Sequence, residues 1–396
     1  MADKLNIVFM AQVQYPRGMA ATRRIQNFVN YLARDGRFTV RVLVLRGGRV
    51  RLADEAISGE CGGVPYVTIG ANIRPGAGAL LKAPKYYWDG IAYLRRHRRA
   101  DCKNVLYVYE YPSTDNLPML IYARMAGYRI VFDLVEDIAV QGCAPDVFAR
   151  IKHFSGRLFC RTLWMFADAV LVISSRLMEK MQAVAKGRFA VVHYPVNIDM
   201  GRGLPPKPFG DPVRVFYGGT FGGKDAVETL IEGFERVCGR RDNVRLILTG
   251  KGDPHDMDRI LERIARSQYR DRILYMGYLD EDAFYGQLAE SDILCMTRTA
   301  SAFAHAGFPF KLGEYLASGR PVIASRVGDV GDYLEDGRDA LLVAPDSAGE
   351  IAGAIEALIA DPDRARRIGE QGRRAAMQHF DAAVLGRKLV ELFDTL

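Results

Sequence analysis

Short apolar runs alternate with longer amphipathic stretches along nearly the whole of this chain. That rhythm is the signature of strands and helices taking turns in a parallel α/β sheet. In the first half the strand-like runs are Asn6–Met10, Thr39–Leu45, Val105–Tyr109, Arg129–Phe132, Ala169–Ile173 and Phe189–Val192. Helical patterns lie between them at Thr22–Arg34, Asn116–Met125 and Pro145–Phe166. The rhythm stops at Gly201–Pro212, which holds four prolines and three glycines and has no period. It restarts with strand-like runs at Val213–Tyr217, Val244–Thr249, Ile273–Met276, Ile293–Met296, Pro321–Ala324 and Ala340–Val343. The expectation is an α/β chain of two doubly wound, Rossmann-like domains, at 1–200 and 213–378, joined by a linker at 201–212. Ligands of such sheets bind outside the carboxyl ends of the strands, so the cleft between two of them is the default site.

Composition narrows the class. With 49% hydrophobic and 26% charged residues over 396 positions, the chain is neither disordered, collagen-like nor a small disulfide-stapled protein. Its six cysteines show no C-x-x-C or C-x-x-x-x-C spacing, which argues against a disulfide framework and a zinc site. The opening apolar run, Leu5–Ala11, is too short for a signal peptide. The longest apolar stretch, Leu158–Ile173, is interrupted by Arg161 and Asp168, short of the roughly 18 apolar residues a membrane span needs. A cytoplasmic protein is expected. Its charge is lopsided: residues 1–200 hold 28 Lys+Arg against 16 Asp+Glu, a net of +12, and residues 201–396 hold 26 against 31, a net of −5.

Two stretches carry chemistry. Tyr217-Gly-Gly-Thr-Phe-Gly-Gly-Lys-Asp225 follows a strand and opens a helix. Glycines there let the backbone approach a ligand, the helix start offers free N–H groups, and Lys224 adds a positive charge where phosphate would sit. A plain Gly-rich turn capped by Asp225 is the alternative. The segment is neither G-x-G-x-x-G nor a Walker A loop. In the second stretch, Ala306-Gly-Phe-Pro-Phe-Lys-Leu-Gly-Glu314, a loop runs into a helix that Gly319 ends. Glu314 amid small and apolar residues is expected to be partly buried and in need of donors, which a ribose diol would supply. An i,i+3 ion pair with Lys311 on a solvated face is the alternative.

Taken in order, these two stretches, with Leu246-Ile-Leu-Thr-Gly-Lys-Gly252, Tyr275-Met-Gly-Tyr-Leu279 and Ala289-Glu-Ser-Asp-Ile293 between them, resemble the C-terminal half of GT-B glycosyltransferases, specifically family 4 (group 1). The resemblance extends more diffusely to Pro16-Arg-Gly-Met-Ala-Ala-Thr-Arg-Arg24, similar to the family's Gly-loop through Gly18, and to Phe166–Ser174 and Tyr194–Asp199. It implies two domains facing a cleft, with a last segment, 379–396, returning to the N-terminal domain. It also implies a retaining transferase that uses a nucleotide-sugar donor, UDP- or GDP-linked, and needs no cofactor or bound metal.

By the same resemblance, Lys224 neutralises the donor diphosphate with backbone N–H groups at Gly219 and Thr220, which is electrostatic catalysis at the leaving group. Glu314 holds the ribose hydroxyls. The backbone at Gly307, Phe308, Pro309 and Phe310 faces the sugar, while Gly250, Tyr278 and Leu279 frame nucleotide and base. The chain departs from the pattern in three places, one being the family's usual strand-end histidine, which is not evident in the first half. The first glutamate of E-x7-E is Ala306, leaving a P-x-K-x-x-E variant in which Lys311 contacts phosphate or sugar. The arginine shortly before the phosphate lysine is Thr220.

In the first half, Phe132-Asp-Leu-Val-Glu-Asp137 ends a strand, which makes Asp133 and Glu136 candidates for holding the acceptor or stabilising an oxocarbenium-like state; helix N-capping is the alternative. Asp256-Met-Asp258 has the D-x-D form of metal-dependent transferases, but its place at a helix start favours capping. The histidines show no pair at metal-ligand spacing, and His305 alone, beside the donor loop, stands out.

Two basic-aromatic stretches, Lys82–Arg99 and Arg150–Trp164, suit an anionic bilayer surface. No nucleic-acid module is visible. A glycan or lipid-linked acceptor at the membrane, as in bacterial cell-surface polysaccharide or lipopolysaccharide assembly, fits this charge. A nucleotide-sugar epimerase or hydrolase on the same fold, and a non-catalytic nucleotide-sugar-binding partner, remain as other readings.

Overall fold

The computed structural model describes residues 4–45, 56–71, 78–137, 140, 154, 158, 161–205 and 207–396. The chain divides into two units, Met1–Asn197 with Ala382–Leu396, and Ile198–Asp381.

The first unit is built on an eight-stranded sheet: β1 (Leu5–Ala11), β2 (Phe38–Leu45), β3 (Ser58–Cys61), β4 (Val64–Ile69), β5 (Lys103–Tyr109), β6 (Arg129–Leu134), β7 (Ala169–Val172) and β8 (Ala190–His193). Their spatial order is β3-β4-β2-β1-β5-β6-β7-β8. All neighbours are parallel except the edge pair β3–β4, a hairpin that the apolar rhythm did not reveal because Ser58–Cys61 is exposed and polar. The central strand β1 is buried at every position, as expected of a parallel strand covered on both faces. Helices α1 (Ala20–Ala33), α2 (Gly78–His97), α3 (Leu117–Met125) and α4 (Ser175–Ala185) connect the strands. Most of the expected helix Pro145–Phe166 lies outside the described residues, and Leu163–Met165 forms a 3-10 turn.

The second unit carries a six-stranded, wholly parallel sheet of β9 (Val213–Thr220), β10 (Val244–Lys251), β11 (Ile273–Tyr275), β12 (Ile293–Met296), β13 (Val322–Ser325) and β14 (Leu341–Val343), ordered β11-β10-β9-β12-β13-β14. Its helices are α5 (Val227–Cys238), α6 (Pro254–Ala265), α7 (Glu281–Glu290), α8 (Ala302–Ala306), α9 (Phe310–Ser318), α10 (Val330–Tyr333), α11 (Ala348–Ala360) and α12 (Pro362–His379). On α5 the buried positions Val227, Leu230, Ile231, Phe234, Val237 and Cys238 follow the three-four spacing of an apolar stripe, packed on the sheet through Val215, Leu246 and Leu248. The strand order reverses between β9 and β12, so the crevice at their carboxyl ends is where a doubly wound sheet takes a ligand.

The last helix, α13 (Ala382–Thr395), belongs to the first unit. Leu385, Leu389 and Phe393, one turn apart on one face, enter the core formed by Ile25, Phe28 and Leu32 of α1, and the Tyr194 hydroxyl donates to the Leu385 carbonyl. The segment 201–212 is not a free linker. Lys207 pairs with Asp292, Arg320 Nη1 donates to the Pro205 carbonyl at 2.9 Å, and Leu204 N–H to that of Ser318 at 3.2 Å, which fastens it to the second unit. Prolines and glycines there serve an irregular but docked path.

Candidate functional site

Strands β9 and β10 run in register to their ends, where Gly219 faces Gly250. A Cβ on Gly250, whose φ is +140°, would lie 1.7 Å from the Gly219 carbonyl oxygen, so the two backbones meet at a distance only glycine permits. A Cβ on Gly219 would lie 2.6 Å from Lys311 Nζ. The glycine is what allows the lysine of the second motif to reach over the strand end of the first.

Lys311, in the first turn of α9, donates to the Tyr217 hydroxyl at 2.5 Å and to Asp225 Oδ1 at 3.1 Å, and its ammonium lies 4.1 Å from the Tyr217 ring centroid. The Tyr217 hydroxyl in turn donates to the Thr220 carbonyl at 2.7 Å. Burial pulls Lys311 down to about 8, opposed by Asp225 and reinforced by Arg298 and Lys224. Asp225 is 1% exposed and also accepts from Thr220 Oγ1 at 2.8 Å. Burial pushes its carboxyl up, but Lys311, Arg298, the Thr220 hydrogen bond and Lys224 together hold it below the ordinary value. The capping role read for Asp225 is therefore corrected: Ala226, at φ 47°, takes the cap position of α5 without a side-chain bond, and Asp225 turns inward to the cations.

Lys224 is half-buried, its ammonium 4.1 Å from the Phe303 ring centroid. Arg298, just past β12, is 7% exposed and is a residue that sequence reasoning missed. The available signal was its place: an arginine directly after an apolar strand, at the reversal of strand order.

Glu314 is buried on α9, as expected, and accepts from the Tyr285 hydroxyl at 2.9 Å. Lys311 turns to Asp225 and Glu314 to Tyr285, so the solvated-face ion pair does not describe either. Tyr315 fixes α9 against β9, its hydroxyl accepting from Gly218 N–H at 2.8 Å and donating to the Gly218 carbonyl at 3.0 Å. The Gly250 carbonyl accepts from Tyr275 at 2.9 Å. Tyr278 is 48% exposed with Lys251 Nζ 4.2 Å from its ring centroid, and Leu279 beside it is half-buried.

Along the donor loop, Gly307 ends α8 and Pro309 takes the cap position of α9, with Phe310 half-buried after it. Phe308 is 5% exposed and packs on Tyr333 and Phe380, so its ring belongs to the core. His305 Nδ1 accepts from Gly328 N–H at 3.1 Å, which leaves the proton of the neutral ring on Nε2.

In the first unit, Gly18 lies on the loop after β1, where a Cβ would sit 2.1 Å from Thr22 Oγ1, itself bonded to the Gln14 carbonyl at 2.5 Å. Asp133, a candidate for holding the acceptor, has both oxygens bonded inside the first unit. It is fully buried at the end of β6, held by Arg24 Nε at 2.7 Å, Arg24 Nη2 at 2.9 Å and the Tyr107 hydroxyl at 2.6 Å. Arg24 also donates to the Pro195 carbonyl at 2.7 Å, so this group locks α1, β5, β6 and the segment after β8 together. Being inside a strand, Asp133 caps no helix either. Glu136 is half-buried beyond β6, and its neighbour Asp137 pairs with Lys180.

The cap of α6 is Asp253, which accepts from Asp256 N–H at 3.0 Å, so capping falls on a residue outside the D-x-D stretch and Asp256 itself sits in the first turn. Among the described residues no group of three or more His, Cys, Asp or Glu is placed to hold a metal ion. On α2, Leu81 and Trp88 are 88% and 68% exposed beside Lys82 and Lys85. The second basic stretch, Arg150–Trp164, lies largely outside the described residues. No described helix is long and apolar enough to cross a membrane.

Residues 211–361 match the family model for glycosyl transferases group 1. The MMP alpha-(1->4)-mannosyltransferase of Mycolicibacterium hassiacum is 28% identical over 169 residues, 42% of this chain but only 39% of that protein. The phosphatidyl-myo-inositol mannosyltransferase of Mycolicibacterium smegmatis is 22% identical over 383 residues, 94% of this chain and 90% of that one. Among solved structures, sucrose-phosphate synthase from Thermosynechococcus elongatus aligns over 99% of both chains with a TM-score of 0.78 at 16% identity. Anabaena HepE in complex with UDP-glucose aligns over 99% of this chain and 100% of that one, with a TM-score of 0.68 at 16% identity. The chain thus has the GT-B glycosyltransferase fold, and within its second unit residues 211–361 are similar to the group 1 glycosyltransferases.

Proposed function

We propose that this chain transfers a sugar from a nucleoside diphosphate sugar to a glycan or lipid-linked acceptor with retention of configuration. The observation that carries the reading is the placing of Lys224 and Lys311 at the carboxyl end of β9, where the strand order reverses and the Gly219 and Gly250 backbones meet. Two ammonium groups there stabilise charge as the bond from the sugar's anomeric carbon to the diphosphate oxygen breaks and its electron pair passes to the leaving group. The acceptor hydroxyl oxygen bonds to that carbon from the same face, and its proton passes to the departing diphosphate. Glu314, oriented by Tyr285, accepts from the ribose hydroxyls. With lysines in the neutralising role, the transfer proceeds without a bound metal. HepE is seen with UDP-glucose, and the aligned relatives are named as mannosyltransferases, which favours a hexose donor.

The exposed Leu81 and Trp88 beside Lys82 and Lys85, with the net charge of +12 in residues 1–200, support an acceptor met at an anionic membrane surface on the cytoplasmic side. A place in bacterial surface-polysaccharide assembly is consistent with that chemistry.

The test is a thermal-shift panel of nucleotides and nucleotide sugars, since a ligand that binds only the folded chain raises its melting temperature. UDP- or GDP-sugars are expected to stabilise the wild type. Glu314→Gln is expected to lower donor affinity about tenfold by weakening the ribose contact. A wild type indifferent to every nucleotide would end this reading.

A further inference from the structure

The main chain around Arg298 is tied on every side. Thr297 Oγ1 donates to the Asp225 carbonyl at 2.9 Å, Thr299 N–H to the Lys224 carbonyl at 3.1 Å, and Arg298 N–H to Ser325 Oγ at 2.9 Å. These bonds stitch residues 297–299 to the Lys224–Asp225 loop and to the end of β13. The side chain is the opposite. It is 7% exposed, its guanidinium has no hydrogen bond or ion pair among the described residues, and its Nε is sealed from solvent without an acceptor.

A buried cation left in that state costs free energy, and native chains seldom keep one without a use. Other buried arginines spend their terminal nitrogens inside the chain: Arg24 on Asp133 and two carbonyls, and Arg320, whose Nε also lacks an acceptor, on the carbonyls of Pro205 and Ala289 through Nη1 and Nη2. The neighbours of Arg298 make the contrast sharper. Asp225 feels Lys311, Arg298 and Lys224 together, and gives both of its oxygens elsewhere, to Lys311 and to Thr220. Asp225 thus has no oxygen left for Arg298, although it lies near enough to feel its charge.

We propose that Arg298 is a diphosphate-binding residue, whose planar guanidinium completes the anion site formed with Lys224 and Lys311. This rests on the nucleoside-diphosphate reading of the same site and adds a residue that the motifs do not contain. A guanidinium offers paired N–H donors that match two phosphate oxygens, where each lysine supplies a single point of charge. Held by a fixed main chain and shielded from water, it meets the anion at little cost in reorganisation.

The experiment compares wild type, Arg298→Gln and Arg298→Lys by calorimetric titration with UDP, GDP, uridine, guanosine and inorganic pyrophosphate. Arg298→Gln is expected to lose at least about tenfold in affinity for the accepted diphosphate and for pyrophosphate, with nucleoside affinity within about twofold of wild type. Arg298→Lys is expected to fall between, since it keeps charge and loses the fork. An equal loss for nucleoside and diphosphate, as a structural role would give, overturns the proposal. Unchanged diphosphate affinity in Arg298→Gln overturns it too. If that variant does not fold, Arg298→Lys decides alone, and wild-type affinity for pyrophosphate in it sinks the idea. A wild type that binds neither UDP nor GDP instead ends the donor reading itself, so the two failures are distinct.

Discussion

Lys311 donates to Asp225 across 3.1 Å, joining two residues 86 positions apart that belong to separate motifs. The lysine comes from the first turn of α9 and the aspartate from the loop after β9, so one ion pair closes the anion site from both sides of the strand reversal. Removing the aspartate should therefore do two opposite things. Asp225→Asn leaves the buried Lys311 ammonium without its carboxylate, and urea unfolding is expected to show a loss of about 3–5 kcal/mol. The same variant, where folded, is expected to bind UDP or GDP more tightly than wild type, because the anion now supplies the missing charge. Weaker binding by the folded variant would show that Asp225 positions the lysine rather than balancing it.

Lys311 sets a pH dependence in the alkaline range. Burial lowers it to about 8 from an ordinary 10.5, so the ammonium is charged at neutral pH and loses its proton as pH rises through that value. Diphosphate affinity is expected to fall about five- to tenfold between about pH 7 and 9. Lys311→Arg, which does not titrate there, is expected to flatten that limb. Stability moves the other way: the unfolded chain holds this proton more tightly than the folded one, so the residue's contribution rises with pH between about 8 and 10.5. Titrations at constant ionic strength, with urea melts alongside, separate the two effects.

Asp133 is expected to behave as a structural residue. Asp133→Asn strands the buried Arg24 guanidinium and is expected to cost about 3–5 kcal/mol in urea unfolding, with the donor affinity of the folded fraction unchanged. Replacing both partners by apolar residues, Arg24→Met with Asp133→Leu, is expected to recover most of that loss. A fully stable Asp133→Asn protein with impaired transfer would restore the catalytic role.

Gly250→Ala tests the close approach of the Gly219 and Gly250 backbones. Its Cβ would collide with the Gly219 carbonyl, so the ends of β9 and β10 must part, at an expected cost of about 2–5 kcal/mol. Nucleotide binding is expected to weaken with it, because the Gly219 backbone is displaced. A melting temperature equal to wild type would mean that the strands close differently.

What the sequence showed plainly was the part governed by local pattern. Buried strands such as Leu5–Ala11 and Val244–Lys251 announce themselves by their apolar centres, Ile7–Met10 and Leu246–Leu248, and α5 by its stripe. The hairpin at Ser58–Ile69 was hidden because its outer strand is polar and solvent-facing, with no period to detect. Within the site, Lys224, Lys311 and Glu314 were legible because they sit in spaced motifs. Asp225 was legible but misassigned: next to a helix start, capping and ion pairing draw on the same residue type, and only the fold brings Lys311 within reach. Arg298 carried no motif at all. Its meaning depends on which strands lie side by side, which no local window contains.

The second unit occupies one unbroken stretch, Ile198–Asp381, while the first needs both the residues before it and Ala382–Leu396 after it. At the crossing, Ile198 N–H bonds to the Phe380 carbonyl at 2.7 Å, so the chain enters and leaves the second unit at neighbouring points. During synthesis the second unit therefore emerges whole while the first still lacks Leu385, Leu389 and Phe393 from its core. A stop codon near residue 382 would spare the unit encoded beside it and injure the one encoded farthest away.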